Sequence, residues 1–152
     1  MRKRTRSREF ALQVLYQLDI RPSDLDETLK DFWEDRTDPV LPNKESESME
    51  LDKKDPEIRS YAEKLVRGTL EKLEAIDQTI ERFAENWELK RMAYVDRNIL
   101  RLSTYEMLYL EEIPIKVAIN EAVELAKRYG EEDSSKFVNG ILDRIAKTES
   151  KK

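Results

Sequence analysis

The chain has no cysteine and no histidine. Those absences exclude a cysteine or histidine nucleophile, an imidazole base and a zinc-type ligand set. Only three glycines occur, at Gly68, Gly130 and Gly140, and they are too scattered to form a Gly-rich phosphate loop. A hydrolase built on carboxylates alone stays possible, but the acids fall mostly on solvated helix faces. We therefore predict a protein that is not an enzyme and holds no cofactor or metal.

Long apolar runs are also missing. The basic N-terminus is not followed by an apolar run of signal-peptide length, and no stretch is long enough to span a membrane. We therefore expect a cytoplasmic protein with no membrane partner.

What remains is a highly charged, helical pattern. Charged residues make up 40% of the 152 residues, and apolar positions recur at helical spacing along most of the chain. This pattern predicts an all-α fold. The length fits one domain or two tightly packed sub-bundles.

Charge is distributed unevenly along the chain. The net charge is −5, yet residues 1–8, MRKRTRSR, carry five basic side chains and no acid. The remainder holds 23 basic against 33 acidic residues. A short basic arm on an acidic body is typical of an interaction tail that contacts phosphates, although a solvated terminus gives the same pattern.

The periodicity predicts seven helices. We expect them from about Thr5 or Ser7 to Asp19, then at about 24–35, 57–84, a turn and short helix within 86–94, 95–111, 115–129 and 134–147. Asp55–Pro56 supplies an N-cap and a first-turn proline for the third helix. Residues 36–56 are acidic, contain internal prolines and lack aromatics, so we predict a long loop with no core to bury.

Several polar positions admit two interpretations. Arg8, Leu12 and Tyr16 lie four apart on a stripe away from the main apolar face, so Tyr16 is either an exposed platform for a base or an edge-of-core side chain. Arg97 and Arg101 interrupt an otherwise apolar central helix, which favours an internal ion pair or a position at the rim of the bundle over a binding surface. Asp96 serves either a partner or the helix cap.

Gly140 lies inside the last predicted helix, where a glycine costs roughly 1 kcal/mol against alanine. Helix geometry puts it beside Asp133, Lys136 and Lys147, away from the centre of the apolar face, at whose edge Phe137 lies. Something therefore approaches the backbone from this polar side. We expect a neighbouring helix there, with a ligand or partner as the alternative.

Three segments together resemble the NusB family of bacterial transcription antitermination factors. They are IPIKVAINEAVELAKRYGEEDSSKFVNGILDRIA (113–146), VDRNILRLSTYEM and RSREFALQVLYQ. The resemblance covers the chain except about 36–56, an acidic loop longer than the family leads us to expect. It implies a single domain of about seven helices in two packed small bundles, at about 1–84 and 85–148, without catalytic activity.

The resemblance also implies partners. NusB-like proteins bind the single-stranded boxA element of ribosomal RNA operon leaders as a heterodimer with the ribosomal protein NusE. That pair reaches other Nus factors and RNA polymerase indirectly and keeps the polymerase processive. The protein itself is a monomer or a homodimer. The alternative is a stand-alone helical RNA-binding or scaffold domain that serves ribosomal RNA modification or processing.

Site residues carry over from the resemblance position by position. Thr5 replaces an arginine, and Ser135 a histidine, of some relatives. The partner-facing position is Asp96, to which we add Arg97 and Arg101. The predicted RNA-binding residues are the basic arm, one tyrosine and the start of the last helix: Arg2, Lys3, Arg4, Arg6, Arg8, Tyr16, Asp133, Lys136 and Phe137.

Overall fold

A computed structural model describes residues 2–34, 47–85 and 87–152, and those residues form α-helices without any β-strand. The all-α prediction is confirmed, with eight α-helices in the described ranges where about seven were expected. They are α1 (Arg2–Ile20), α2 (Leu25–Trp33), α3 (Glu47–Asp52), α4 (Pro56–Glu71), α5 (Leu73–Phe83), α6 (Tyr94–Tyr109), α7 (Ile115–Tyr129) and α8 (Ser134–Thr148), with a 3₁₀ turn at Leu89–Arg91.

The chain divides into two compact units, Met1–Arg67 and Gly68–Lys152. The family resemblance predicts an N-terminal bundle that ends near residue 84 and includes residues 73–83. In the structure α5 packs on α6 and α8 and belongs to the second unit.

An aromatic cluster forms the core of the first unit. Phe10, Phe32 and Trp33 meet edge to face, with ring centroids 5.0–5.8 Å apart. The indole nitrogen of Trp33 donates a hydrogen bond of 2.8 Å to Glu63, so its one polar atom is satisfied beside the core. These contacts hold α1, α2 and α4 together.

Helix α1 is buried on more than its main apolar face. Arg8 is 2% exposed and Leu12 is fully buried, so the prediction that their stripe lies off the core is wrong. The Ser7 hydroxyl donates a hydrogen bond of 2.8 Å to the Ile58 carbonyl of α4. Arg8 lies over the ring of Tyr61, also on α4, at 5.8 Å. Helix α4 therefore covers the second side of α1, which periodicity along α1 alone does not reveal.

Part of the predicted acidic loop is a helix. Residues 35–46 lie outside the described residues, but Glu47–Asp52 form α3. Met49 is 2% exposed, so the expectation that this segment has no core to bury is wrong at its C-terminal end. Helix α4 then begins at Pro56 as predicted, and Asp55 accepts a hydrogen bond of 2.9 Å from the Glu57 amide.

The helix predicted over 57–84 is two helices. The break falls at Lys72, whose backbone lies at φ −103° and ψ 16°. Lys72 N still donates to the Gly68 carbonyl, and Ile76 N donates to the Lys72 carbonyl. Because the hydrogen-bond ladder resumes within one residue, the apolar positions stay in register and the sequence pattern does not show the break.

Helix α6 forms the centre of the second unit. It packs on α5, α7 and α8, which explains why it is apolar nearly all round. Its fully buried side chains include Ile99, Leu100, Leu102 and Met107. No described helix is long and apolar enough to cross a membrane.

The C-terminal tail closes the end of α6. The Lys151 ammonium donates hydrogen bonds to the carbonyls of Met107 at 2.9 Å and Leu110 at 2.7 Å, and lies 3.4 Å from that of Glu106. These are carbonyls of the last helical turn, where a cation also complements the helix dipole. Burial lowers the pKa of Lys151, and nearby glutamates oppose that shift.

Candidate functional sites in the two units

The basic arm forms the first turns of α1 and does not extend away from it. Arg2, Lys3 and Arg4 are exposed. Arg2 pairs with Asp52 at 3.0 Å. Lys3 lies 3.2 Å from Asp55 and 3.3 Å from Glu57. In the first unit the arm therefore already contacts an acidic segment of the same chain.

The ion pairs of Lys3 shift the pKa of Lys3 and that of Asp55. Hydrogen bonds to Asp55 and Glu57 raise the pKa of Lys3, and the hydrogen bond from Lys3 lowers the pKa of Asp55. The stabilisation from the Asp55 pair is therefore present above the ordinary carboxyl range and is lost as pH falls through the lowered pKa. All three groups lie at the surface, where salt screens such pairs.

The remaining arginines of the arm differ in exposure. Arg4 lies over the ring of Tyr61 at 4.4 Å and is exposed. The Arg6 side chain is 13% exposed and pairs with Asp52 at 2.9 Å and with Glu9 at 3.1 Å. Arg8 is buried. Arg4 thus presents its charge to solvent, whereas Arg6 and Arg8 are enclosed by the first unit.

Tyr16 lies on α1, two turns after Arg8, and is half-buried. Its exposure falls between the two sequence interpretations, since part of the ring packs on the first unit and part reaches the surface.

The first turn of α8 gathers three predicted RNA-binding residues in the second unit. Asp133 is the N-cap residue, and its carbonyl accepts a hydrogen bond of 3.1 Å from the Phe137 amide. Asp133 and Lys136 are exposed, and Phe137 is half-buried. A carboxylate, an ammonium and an aromatic ring therefore lie within one helical turn.

Asp96 lies near the same end of α8. The Ser134 hydroxyl donates a hydrogen bond to its carboxylate and accepts one of 2.9 Å from the Glu131 amide. Burial raises the pKa of Asp96, the Ser134 hydrogen bond opposes that shift, and Glu131 adds to it. One carboxylate oxygen of Asp96 is buried without a hydrogen-bond partner among the described residues. The structure thus brings the predicted partner residue close to the start of α8.

Arg101 makes the internal ion pair that the sequence left open. Its Nε lies 2.8 Å from Asp77 Oδ1 and its Nη2 lies 3.0 Å from Oδ2, a bidentate arrangement. The guanidinium of Arg97 lies 4.3 Å from the centre of the Tyr94 ring. The side chains of both arginines help to line an open pocket.

That pocket has a volume of about 470 Å³. Acidic and basic side chains share its wall, so it has no single sign of charge. Its lining residues are Glu81, Glu88, Leu89, Lys90, Arg97 and Arg101.

Among the described residues no neighbouring helix comes within 4 Å of a Cβ built on Gly140, so the expectation of a close neighbouring helix there is wrong. A Cβ built on Gly140 would meet only the Arg144 guanidinium among the described residues, at 3.9 Å. Gly68 shows the opposite, because a Cβ there would overlap the Tyr105 ring. The polar side of α8 is therefore open above Gly140.

Sequence reasoning missed Trp87. This residue follows α5, is 51% exposed and meets Phe137 edge to face. Its segment was interpreted only as a turn with a short helix. The available signal was an aromatic residue among polar residues, which is unusual for a turn.

Comparison with known proteins places these features in a family. The NusB family model matches residues 5–147. The transcription antitermination protein NusB of Anaeromyxobacter sp. (strain Fw109-5) is 48% identical over 144 residues, which cover 95% of this chain and 90% of the relative. The chain belongs to the NusB family. The family membership predicted from the sequence is confirmed.

Solved NusB structures share the fold. NusB of T. maritima aligns with a TM-score of 0.78 and 42% identity, over 97% of this chain and 92% of the other. A chain of the crystal structure of antitermination factors NusB and NusE in complex with dsRNA aligns with a TM-score of 0.80 and 32% identity, over 98% and 99% of the two chains.

Proposed function

We propose that this chain is a transcription antitermination factor that binds boxA RNA of ribosomal RNA leaders together with NusE. The observation that carries the proposal is the alignment, over nearly the full length of both chains, with a structure of NusB and NusE in complex with dsRNA. The protein would act in the cytoplasm, with other Nus factors and RNA polymerase reached through the RNA–NusE complex.

The first unit would supply charge. Arg2, Lys3 and Arg4 are exposed at the start of α1 and can neutralise phosphates, which gives fast and salt-sensitive association. Arg6 and Arg8 are enclosed, so their role is to support α1 from within. The half-buried ring of Tyr16 offers a smaller surface for a base.

The second unit would supply recognition of bases. The ring of Phe137 can stack on an unstacked base of a single strand. The exposed carboxylate of Asp133 can accept hydrogen bonds from amino groups on base edges, and the Lys136 ammonium can donate to phosphates or carbonyls.

Asp96, Arg97 and Arg101 remain the proposed NusE surface. A carboxylate that is half-buried with one unsatisfied oxygen has unused capacity to accept a hydrogen bond from a partner. The mixed charges of the pocket beside Arg97 and Arg101 suit a partner surface that also carries both signs.

A titration of fluorescently labelled RNA tests the proposal. We expect tighter binding of a boxA sequence than of a scrambled sequence of equal composition, and a further gain when NusE is present. Equal affinity for the two sequences with and without NusE would contradict the proposal.

The charge of the arm is testable through the salt dependence of binding. Lys3→Ala with Arg4→Ala should weaken binding. The magnitude of the slope of log K against log salt concentration should fall by about 1.4, because each lost phosphate contact on a single strand contributes about 0.7. Lys116→Ala with Lys127→Ala removes two exposed charges from α7 and is the matched control. An unchanged slope in the arm variant would remove the arm from the interface.

A further inference from the structure

Trp87 and Phe137 form an exposed aromatic pair in the second unit. Their ring centroids are 5.9 Å apart and their planes meet at 77°. The Trp87 amide donates a hydrogen bond of 3.0 Å to the Ala84 carbonyl, which fixes the turn after α5. The pair is therefore held by secondary structure on both sides.

Trp87 is much more exposed than the other tryptophan. The other tryptophan, Trp33, is 8% exposed and its indole nitrogen is bonded to Glu63. Trp87 leaves 51% of its surface in water, although burial of apolar area stabilises by about 25 cal/mol per Å². Much of the indole is thus available to a ligand.

Gly140 leaves the α8 backbone open beside this pair. It lies three residues after Phe137, so both face the same side of the helix. Within the described ranges, only the Arg144 guanidinium would contact a Cβ built there. A glycine that helix propensity disfavours and that no described neighbour requires permits a ligand to approach the backbone closely.

Arg144 brings a positive charge to the same place. It lies one turn after Gly140, and its Nε donates a hydrogen bond of 3.1 Å to the Phe83 carbonyl at the end of α5. The turn that carries Trp87 starts at the next residue. The guanidinium is exposed and has further donors for a phosphate.

We propose that Trp87, Phe137, Gly140 and Arg144, here called the aromatic corner, bind one unstacked base of a single-stranded RNA with its phosphate. The indole of Trp87 stacks on the base, the sugar passes over Gly140, and Arg144 contacts the phosphate. This proposal rests on the RNA-binding function above and adds Trp87, Gly140 and Arg144 to its surface. The occupant is RNA rather than protein because the opening combines ring surface with exposed cations and adjoins Asp133 and Lys136.

Tryptophan fluorescence tests the aromatic corner directly. The chain has two tryptophans, so Trp33→Phe leaves Trp87 as the only one. Unlabelled boxA RNA should quench the emission of Trp87, because a base stacks on the indole. The midpoint of the quenching titration should match the midpoint of binding measured by the anisotropy of labelled RNA. The Trp87→Phe variant, which retains buried Trp33, is the control and should show little quenching.

Two substitutions complete the test. Trp87→Ala should weaken single-strand binding by about 5- to 150-fold, the range for loss of one base–aromatic stack, and Trp87→Phe should recover part of the loss. Gly140→Leu should weaken binding while thermal stability is kept or raised. Ile20→Ala removes another exposed apolar side chain and should leave affinity unchanged.

The outcomes separate this inference from the proposed function. If boxA binds selectively but Trp87 emission and the Trp87→Ala affinity are unchanged, the aromatic corner is not an RNA site and the proposed function stands. Quenching by NusE without RNA would make the corner a protein interface and overturn the inference. If no RNA binds with or without NusE, both proposals fail.

Discussion

At the scale of single residues, two helical glycines have opposite surroundings. Gly68 lies against the Tyr105 ring, whereas a Cβ on Gly140 would meet only the Arg144 guanidinium among the described residues. The sequence shows both simply as glycines within apolar repeats. Only the tertiary structure shows that a side chain would clash with a neighbour at Gly68 and would not at Gly140.

A double-mutant cycle measures the role of Gly68. Gly68→Ala should destabilise the protein by about 1–3 kcal/mol, because the new methyl group displaces the Tyr105 ring. In a Tyr105→Ala background the same change should stabilise by about 1 kcal/mol through helix propensity. The measurement is thermal or urea unfolding of the four proteins. Equal effects in the two backgrounds would show that the ring does not enforce the glycine.

Asp96 links stability to the proposed partner surface. Burial raises its pKa, so the native state binds a proton more readily than the unfolded state, and stability falls as pH rises from the ordinary carboxyl range through the raised pKa. Asp96→Asn should therefore raise the melting temperature at neutral pH, and the difference should shrink as pH falls through that window. NusE affinity should fall in the same variant.

Melting curves of both proteins between neutral and acidic pH check this prediction. Glu124→Gln, which neutralises an exposed carboxylate, is the control and should change little. A lower melting temperature for Asp96→Asn at neutral pH would mean that the charged carboxylate stabilises the unit.

At the scale of elements, the start of α1 shows where local rules fail. Helix N-termini favour acids, yet the first turn of α1 is basic. Apolar periodicity predicts a helix start near Thr5 or Ser7, whereas α1 begins at Arg2. Asp52, Asp55 and Glu57, distant in sequence, supply the missing negative charge, and no pattern within α1 could predict them.

In the proposed complex the same acids would compete with RNA for the arm. Asp55→Asn with Glu57→Gln should raise RNA affinity by a few-fold, because two weak, exposed ion pairs no longer have to be broken. Asparagine retains the capping ability of Asp55 at the start of α4. The affinity should also depend more steeply on salt, since Lys3 would bind phosphate without an internal competitor.

A matched variant separates this competition from net charge. Glu74→Gln with Glu124→Gln removes two exposed charges from the second unit. If both double variants raise affinity equally, general repulsion explains the gain and the contacts of Lys3 do not.

At the scale of the whole molecule, apolar periodicity predicted α6, α7 and α8, because each helix buries a regular face. In α8 the prediction and the structure agree on the inward residues, which are Val138, Ile141, Leu142 and Ile145. It could not predict α3, which depends on one buried methionine and on contacts with α1. For the candidate sites, the pattern named residues but not their exposure. Arg8 is enclosed and Trp87 is open, and both facts depend on neighbours distant in sequence.

Transcription through a terminator tests the central claim most directly. Two templates would carry a boxA leader or its scrambled version before the terminator, with RNA polymerase, NusE and the other Nus factors present. We predict that adding this protein raises readthrough on the boxA template alone. Equal readthrough on the two templates, at concentrations where the binding titration shows the RNA to be saturated, would contradict the proposed antitermination function.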